Sequence, residues 1–104
     1  IINYCGKINL NQSISIVSQS NAVLSNDTGL MHAAAAFNKP IVSFWGNTIP
    51  KFGMTPYKVD QHLIIEQNAL ACRPCSKIGY DQCPKGHFKC MDNINTDQLK
   101  EILQ

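Results

Sequence analysis

Two short apolar runs, separated by a helical pattern, limit the folds open to this chain of 104 residues. The runs are 22–25 and 41–45, and the second is apolar at nearly every position, as in a parallel strand covered on both faces. Between the runs, four apolar residues share the spacing of one helix face: Leu30, Ala33, Ala34 and Phe37. Asn38 can take the left-handed position that closes this helix. Strand, helix and strand with short connections predict an α/β fold with a parallel sheet.

The segment before the first run predicts a further strand and a helix. Residues 1–4 form a short strand candidate. Apolar residues then recur at helical spacing, at Leu10, Ile14 and Val17. Asn9 can cap this helix, and Gln12 follows three residues later, which is a variant of the capping box. Cys5 stands beside Gly6, and we expect it to be a small buried residue.

The second half of the chain is less regular. Residues 62–66 predict another strand, and Thr96 can cap a last helix whose inner face holds Leu99, Ile102 and Leu103. Between them, residues 68–93 contain four cysteines and no periodic pattern; we call them the Cys-rich segment. The sequence thus divides into a partial α/β core (1–67), the Cys-rich segment (68–93) and a C-terminal helix (94–104).

The charge distribution argues against a nucleic-acid binder, because the net charge is only +2. Within residues 72–90, however, four basic residues stand against the single acid Asp81: Arg73, Lys77, Lys85 and Lys89. This stretch is either a basic surface that binds phosphates or the anionic face of a membrane, or it is only a solvated loop. No apolar run approaches the ~20 residues that span a bilayer. The start at Ile1, without an initiator methionine, suggests a piece of a longer protein.

The turn at residues 25–29, Ser-Asn-Asp-Thr-Gly, joins a strand end to a helix start. The first amides of a helix lack internal partners and its dipole is positive there, so a diphosphate is a natural ligand. Thr28 can offer its amide and hydroxyl, and Gly29 permits close approach of the backbone. The Asp27 carboxylate suits sugar hydroxyls beyond the phosphates, or it caps the helix. The alternative is a turn that only caps its helix.

Two more residues are candidates at the same edge of the sheet, where ligands of open α/β sheets bind. His32 follows one turn into the helix, from where it can donate to a phosphate oxygen or serve a structural role. Thr48 follows the second apolar run at its carboxyl end. Large apolar side chains nearby, such as Phe44 and Trp45, are better explained as core.

The cysteines of the Cys-rich segment suggest a metal site. Cys72 and Cys75 form a CxxC pair, and Cys83 and Cys90 follow at wider spacing, with His87 between them. Four thiolates can hold a structural zinc ion. The spacing is wider than in a double CxxC knuckle, and free thiols or disulfides are the alternatives.

Two stretches, residues 25–36 (SNDTGLMHAAAA) and 39–48 (KPIVSFWGNT), resemble glycosyltransferase family 9, the heptosyltransferases of lipopolysaccharide core assembly and their relatives. Residues 5–7 and the cysteine pattern of 72–91 are also similar to members of that family. The resemblance implies a GT-B architecture of two Rossmann-like domains with the active site between them. This chain would be the later part of the C-terminal, donor-binding domain.

The resemblance also implies roles for individual residues. Asp27 would contact the donor sugar, and the amides of Thr28 and Gly29 would hold the diphosphate, with Leu30 and His32 beside them. The donor would be ADP-heptose or a similar nucleotide sugar. Transfer inverts the anomeric centre and needs no metal. The family's general base, its ribose-binding acid and a donor-binding lysine belong to regions outside this chain, so the chain alone is not expected to catalyse transfer.

The remaining expectations concern partners and rival functions. The acceptor would be lipopolysaccharide core or another cell-surface glycan, bound through the other domain. The enzyme would be cytoplasmic, and it could associate peripherally with the inner face of the bacterial inner membrane. An exposed edge strand would favour self-association. The rival readings are a small zinc-binding interaction module centred on the Cys-rich segment, and a sugar-nucleotide epimerase of related architecture.

Overall fold

Three parallel strands form the centre of the structure, a computed structural model that describes residues 1–103. The elements in chain order are α1 (Leu10–Gln19), β1 (Val23–Asn26), α2 (Gly29–Ala36), β2 (Ile41–Trp45), a 3-10 turn (Pro50–Phe52), β3 (His62–Glu66), α3 (Lys89–Asp92) and α4 (Leu99–Leu103). The sheet order is β1-β2-β3, with both pairs parallel. The predicted α/β fold with a parallel sheet is therefore confirmed.

The strand register brings the carboxyl ends of the strands to one edge of the sheet. Asn26 at the end of β1 is opposite Phe44, and Trp45 at the end of β2 is opposite Glu66. The loops that follow β1, β2 and β3 therefore begin side by side. This edge is where ligands of parallel α/β sheets bind.

The start of α1 has the predicted cap. The Asn9 side chain accepts a hydrogen bond from the Gln12 amide at 2.9 Å, and the Gln12 side chain accepts one from the Asn9 amide at 3.0 Å. These reciprocal bonds satisfy two amides that have no partner inside the helix. The helix ends at Gln19, and Val17 is its buried residue.

The predicted inner face of α2 is partly wrong. Its buried residues are Met31, Ala34 and Ala35, whereas Phe37 is 45% exposed. The helix packs against α1 as well as against β1 and β2, so its buried face is turned toward all three. Because four consecutive residues of the helix are alanines, the sequence contains no pattern of large side chains that would identify the buried face. The predicted left-handed closure at Asn38 is confirmed, since its φ is 51°.

Four other sequence predictions need correction. Residues 1–4 form no strand, since no described strand pairs with them, and Ile1 and Ile2 are exposed. Cys5 is exposed rather than buried. Leu103 is exposed too, although its spacing placed it on the inner face of the last helix. The Cys-rich segment, predicted to be irregular, contains the short helix α3. Among residues 1–103 we find no helix long and apolar enough to cross a membrane.

The core lies between α2 and the sheet. It is formed by Val17, Met31, Ala34, Ala35, Ile41 and Trp45. Beside it, the buried Ser43 hydroxyl accepts a hydrogen bond from the Trp45 indole at 2.7 Å and lies 2.7 Å from Nε2 of His62. An indole N–H only donates, so the Ser43 proton is free to be donated to His62. This arrangement suits a neutral imidazole.

The His62 network predicts a pH dependence of stability. Burial lowers the pKa of His62 below its usual range. Above about pH 6.5 the imidazole is neutral in both the folded and the unfolded state, so it gives no pH dependence there. As the pH falls through that value, the unfolded chain takes up a proton before the folded chain does, and the free energy of unfolding decreases.

Urea denaturation from pH 8 to pH 5.5 measures this effect. This pH range lies above the range in which carboxylates titrate. His62→Gln should flatten the profile, because it removes the titrating group. His32→Gln, at an exposed position on α2, is the matched control and should leave the profile unchanged. Equal stability of the unsubstituted protein at both ends of the range would contradict the assignment.

Candidate functional site

A cavity of about 330 Å³ opens at the carboxyl edge of the sheet. Asn26 and Asp27 at the end of β1 line it, together with residues 44–48. The rest of the lining comes from the Cys-rich segment, within residues 78–91. The site is thus built by two regions that are distant in sequence.

The β1–α2 turn (residues 26–29) presents the start of α2 without a side-chain cap. Thr28 is the N-cap residue, with extended φ of −143°, and its side chain makes no capping hydrogen bond. Its Oγ1 lies instead 3.1 Å from Oγ of Ser25. Asp27 is not the cap, which argues against the purely structural role considered for its carboxylate. The first amides of α2 therefore have no side-chain oxygen among their partners.

Gly29 begins α2 with open space beside it. A Cβ added there would meet no heavy atom within 4 Å, and its φ lies outside the left-handed region. Neither backbone conformation nor packing within this chain therefore requires glycine at this position. The open space is large enough for a group that approaches the backbone closely.

The predicted site residues do not all gather in one place. Asp27 and Thr48 line the cavity, and Thr48 is buried. Thr28, Gly29 and His32 are exposed on the turn and on α2, outside the cavity lining. The side chain of Leu30 packs against the core instead, so any part of Leu30 at the site would be its backbone.

Arg73 is a site-building residue that the sequence analysis missed. It was counted with the basic surface of the Cys-rich segment, yet its side chain is only 4% exposed. Its Nε donates to the carbonyl of Gly46 at 2.5 Å, and its Nη1 donates to the carbonyl of Gln67 at 2.7 Å. Its Nη2 contacts three more oxygens: the carbonyls of Trp45 and Thr48 and the carboxylate of Glu66.

These bonds connect the Cys-rich segment to the ends of β2 and β3. A guanidinium offers five N–H donors in a rigid fork, which a lysine cannot match. The only signal in the sequence was that Arg73 is the one arginine of the chain, between Cys72 and Pro74. Lys77, Lys85 and Lys89 are exposed, as expected for a basic surface.

Close packing at two glycines fixes the same junction. Asn47 donates its side-chain amide to the carbonyl of Tyr80 at 2.9 Å. A Cβ on Gly79, whose φ is 84°, would lie 2.6 Å from Oδ1 of Asn47. A Cβ on Gly46 would lie 2.8 Å from the sulfur of Met91. The Cys-rich segment thus contacts the loop after β2 at atomic distance.

All five cysteines are free thiols, so the disulfide alternative finds no support in the structure. Cys72 Sγ lies 3.8 Å from Nε2 of His87, and Cys83 Sγ accepts a hydrogen bond from the Phe88 amide at 3.5 Å. That hydrogen bond lowers the pKa of the Cys83 thiol, whereas burial raises the pKa of Cys90. Within residues 1–103, no three histidine, cysteine or carboxylate side chains are placed to share a metal ion. A zinc site would need the thiols to move closer.

Comparison with known proteins gives the family. The sequence profile described as "Glycosyltransferase family 9 (heptosyltransferase)" matches residues 1–84. Lipooligosaccharide heptosyltransferase 2 of Haemophilus influenzae is 42% identical over 105 residues, covering 98% of this chain and 28% of that protein. The protein of the same name from Haemophilus ducreyi is 35% identical over 104 residues, with the same coverage of 98% and 28%.

Lipopolysaccharide heptosyltransferase 2 of Escherichia coli is similar over a shorter stretch, 40% identical over 50 residues, or 48% of this chain and 14% of that protein. The chain spans less than a third of the length of any of these relatives. No solved structure matches it significantly. The chain belongs to glycosyltransferase family 9, as the profile and the Haemophilus relatives show. Its parallel sheet agrees with the GT-B fold of that family.

Arg73→Ala should detach the Cys-rich segment from the sheet. The substitution leaves Glu66 and several carbonyls without a partner, so we expect a loss of about 3–5 kcal/mol in the free energy of unfolding. The buried Cys90 thiol should then react with iodoacetamide faster, as measured by mass spectrometry of alkylated peptides. Lys77→Ala removes an exposed positive charge from the same segment and is the control. Unchanged labelling of Cys90 in Arg73→Ala would refute the anchoring role.

Proposed function

We propose that this chain is the donor-binding part of an inverting glycosyltransferase that transfers heptose or a related sugar to lipopolysaccharide core or a similar glycan. The observation that carries the proposal is the β1–α2 turn, where uncapped helix amides adjoin a cavity lined by a carboxylate. The names of the relatives support the reaction class, since they are heptosyltransferases.

Each part of the turn suits one part of a nucleotide sugar. The amides at the start of α2 and the positive end of its dipole favour the diphosphate. The open space at Gly29 lets phosphate oxygens reach the backbone. Asp27 stands at the cavity beside this point, where its carboxylate can accept hydrogen bonds from sugar hydroxyls. His32, exposed on α2, is within the same helix and can add a donor to a phosphate oxygen.

The reaction that follows is a direct displacement. A carboxylate from another part of the polypeptide takes the proton of the acceptor hydroxyl, and that oxygen forms a bond to the anomeric carbon. The bond from this carbon to the diphosphate oxygen breaks at the same time, and the departing nucleoside diphosphate gains negative charge. The fixed amides of Thr28 and Gly29 stabilise that charge without reorganising, which is the usual source of a large catalytic effect.

The proposal includes the partners and the place of action. The acceptor is bound by the region that supplies the general base, and transfer needs no metal. The exposed lysines of the Cys-rich segment favour contact with anionic lipid at the cytoplasmic face of the inner membrane. β1 and β3 are the two edges of the described sheet, so self-association of the isolated chain stays a prediction.

Family membership argues against the non-enzymatic zinc module and against the epimerase. The cysteines need a role within a glycosyltransferase instead, and we propose that they bind one structural zinc ion. Three of them, Cys75, Cys83 and Cys90, line one small cavity, and Cys72 stands in contact with His87. Movement of these four thiols toward one another would complete a four-sulfur site that holds the Cys-rich segment together.

Gly29→Ala tests donor binding. The new methyl group meets no protein atom, so the free energy of unfolding should stay the same or rise by up to about 1 kcal/mol. The methyl occupies the space proposed for the phosphates, so the affinity for ADP should fall on the order of tenfold. Calorimetry gives the affinities, and nitrogen-15 spectra of the unsubstituted protein should show the Thr28 and Gly29 amides shifting on addition of ADP.

The matched control is Ala36→Gly, a change of one methyl group at the other end of α2, which should leave ADP affinity unchanged. These measurements belong on the complete polypeptide that carries this chain. Equal affinity of Gly29→Ala and the unsubstituted protein for ADP would exclude the turn as the phosphate site. So would chemical shift changes confined to the Cys-rich segment.

Zinc content tests the cysteine proposal. We expect one zinc ion per chain by mass spectrometry of protein purified without chelator. Cys83→Ser should lose this zinc and Cys5→Ser should keep it, because Cys5 lies outside the cluster and is exposed. Removal of the metal with chelator should lower the melting temperature of the unsubstituted protein only if zinc is structural. The zinc site would be ruled out if the protein purified without chelator contains no zinc and its melting temperature does not change on addition of chelator.

A further inference from the structure

The wall that the Cys-rich segment contributes to the cavity has its own chemistry. Tyr80 is 54% exposed and Phe88 is 48% exposed, and both line the cavity together with Ile78. Asp81 stands among them and adds a second carboxylate to the lining. A lining that combines aromatic side chains with a few polar groups is typical of ligand-binding cavities.

Asn26 and Asp27 line the same cavity, so it combines hydrogen-bonding groups with aromatic side chains. A sugar ring needs this combination. Its hydroxyl groups lie around the rim and bond to carboxylates and amides, whereas its C–H groups form an apolar face that packs against an aromatic ring. A nucleoside diphosphate alone has less use for the second carboxylate, which would repel it.

The backbone of Phe88 is held in a conformation that a phenylalanine rarely adopts. Its φ is 50° and its ψ is 28°, in the left-handed region. Such a conformation is strained for a bulky residue and persists only where the surroundings enforce it. The wall is also fixed to the sheet by Arg73 and Asn47. The aromatic wall is therefore preorganised before any ligand arrives.

We propose that Tyr80, Asp81 and Phe88 form a sugar-binding subsite in the cavity that Asp27 also lines. The inference rests on the proposed function and deepens it, because it assigns sugar recognition to the Cys-rich segment as well as to the β1–α2 turn. The ring that occupies the subsite belongs either to the nucleotide donor or to the acceptor. The same variant decides between these two sources.

Phe88→Asn is that variant, because asparagine adopts the left-handed conformation more readily than phenylalanine. The melting temperature should therefore stay the same or rise. The loss of one aromatic contact should weaken sugar binding about threefold to tenfold. Phe37→Asn is the matched control, because Phe37 is an equally exposed phenylalanine beyond the far end of α2 and outside the cavity lining.

Two measurements on the complete polypeptide separate the sources. In the donor arm, calorimetry compares ADP with ADP-heptose, and a donor subsite predicts weaker ADP-heptose binding in Phe88→Asn with ADP binding unchanged. In the acceptor arm, kinetics at saturating donor should instead show a raised KM for the acceptor with kcat little changed. A change in either arm that is absent from Phe37→Asn supports the subsite.

The result that overturns the subsite is unchanged behaviour of Phe88→Asn in both arms while ADP still binds to the unsubstituted protein. That outcome leaves the donor-binding proposal intact. Failure of ADP and of ADP-heptose to bind the unsubstituted protein would instead remove the donor-binding proposal, and the subsite with it. The two failures are therefore distinguishable.

Discussion

The Arg73 guanidinium joins the two halves of this chain. The sheet and the loops that follow β1 and β2 supply only part of the cavity lining, and the Cys-rich segment has little regular structure of its own. Five oxygens at the ends of β2 and β3 accept bonds from this one side chain. Because carbonyls buried without a partner are costly, the segment and the loop after β2 stabilise one another. Together with the hydrogen bond from Asn47 to the carbonyl of Tyr80, this contact joins the Cys-rich part of the cavity lining to the sheet.

The β1–α2 turn supplies the other half of the site through its position between a parallel strand and a helix. Parallel strands place its residues at the ligand edge, and the helix that follows provides free amides and a positive dipole end. Thr28 caps the helix through its backbone geometry alone, and its hydroxyl is occupied by Ser25. The carboxylate of Asp27 is left to face the cavity. The amides proposed to bind phosphate and the carboxylate proposed to bind sugar therefore lie on adjacent residues of one turn.

The local elements were predictable where sequence and environment agree. The capping box at Asn9, the buried run of β2 and the left-handed closure at Asn38 each depend on neighbours in sequence, and each was confirmed. The β1–α2 turn was predictable for the same reason, because it also depends on residues that are close in sequence. The failures have a tertiary origin. Residues 1–4 lack a described strand to pair with, and the Ala-rich α2 takes its buried face from α1 and the sheet.

By itself the sequence determined the α/β class, the position of the turn and membership of the family, since these depend on short-range pattern and on identity to relatives. Only the tertiary structure decided what Arg73 does, because a buried arginine and a solvated one look alike in a sequence. It also decided that the Cys-rich segment reaches the cavity, so that Phe88 and Asp27 line the same site. These two residues are about 60 positions apart in sequence, and local periodicity does not indicate which residues at such a separation will share a site.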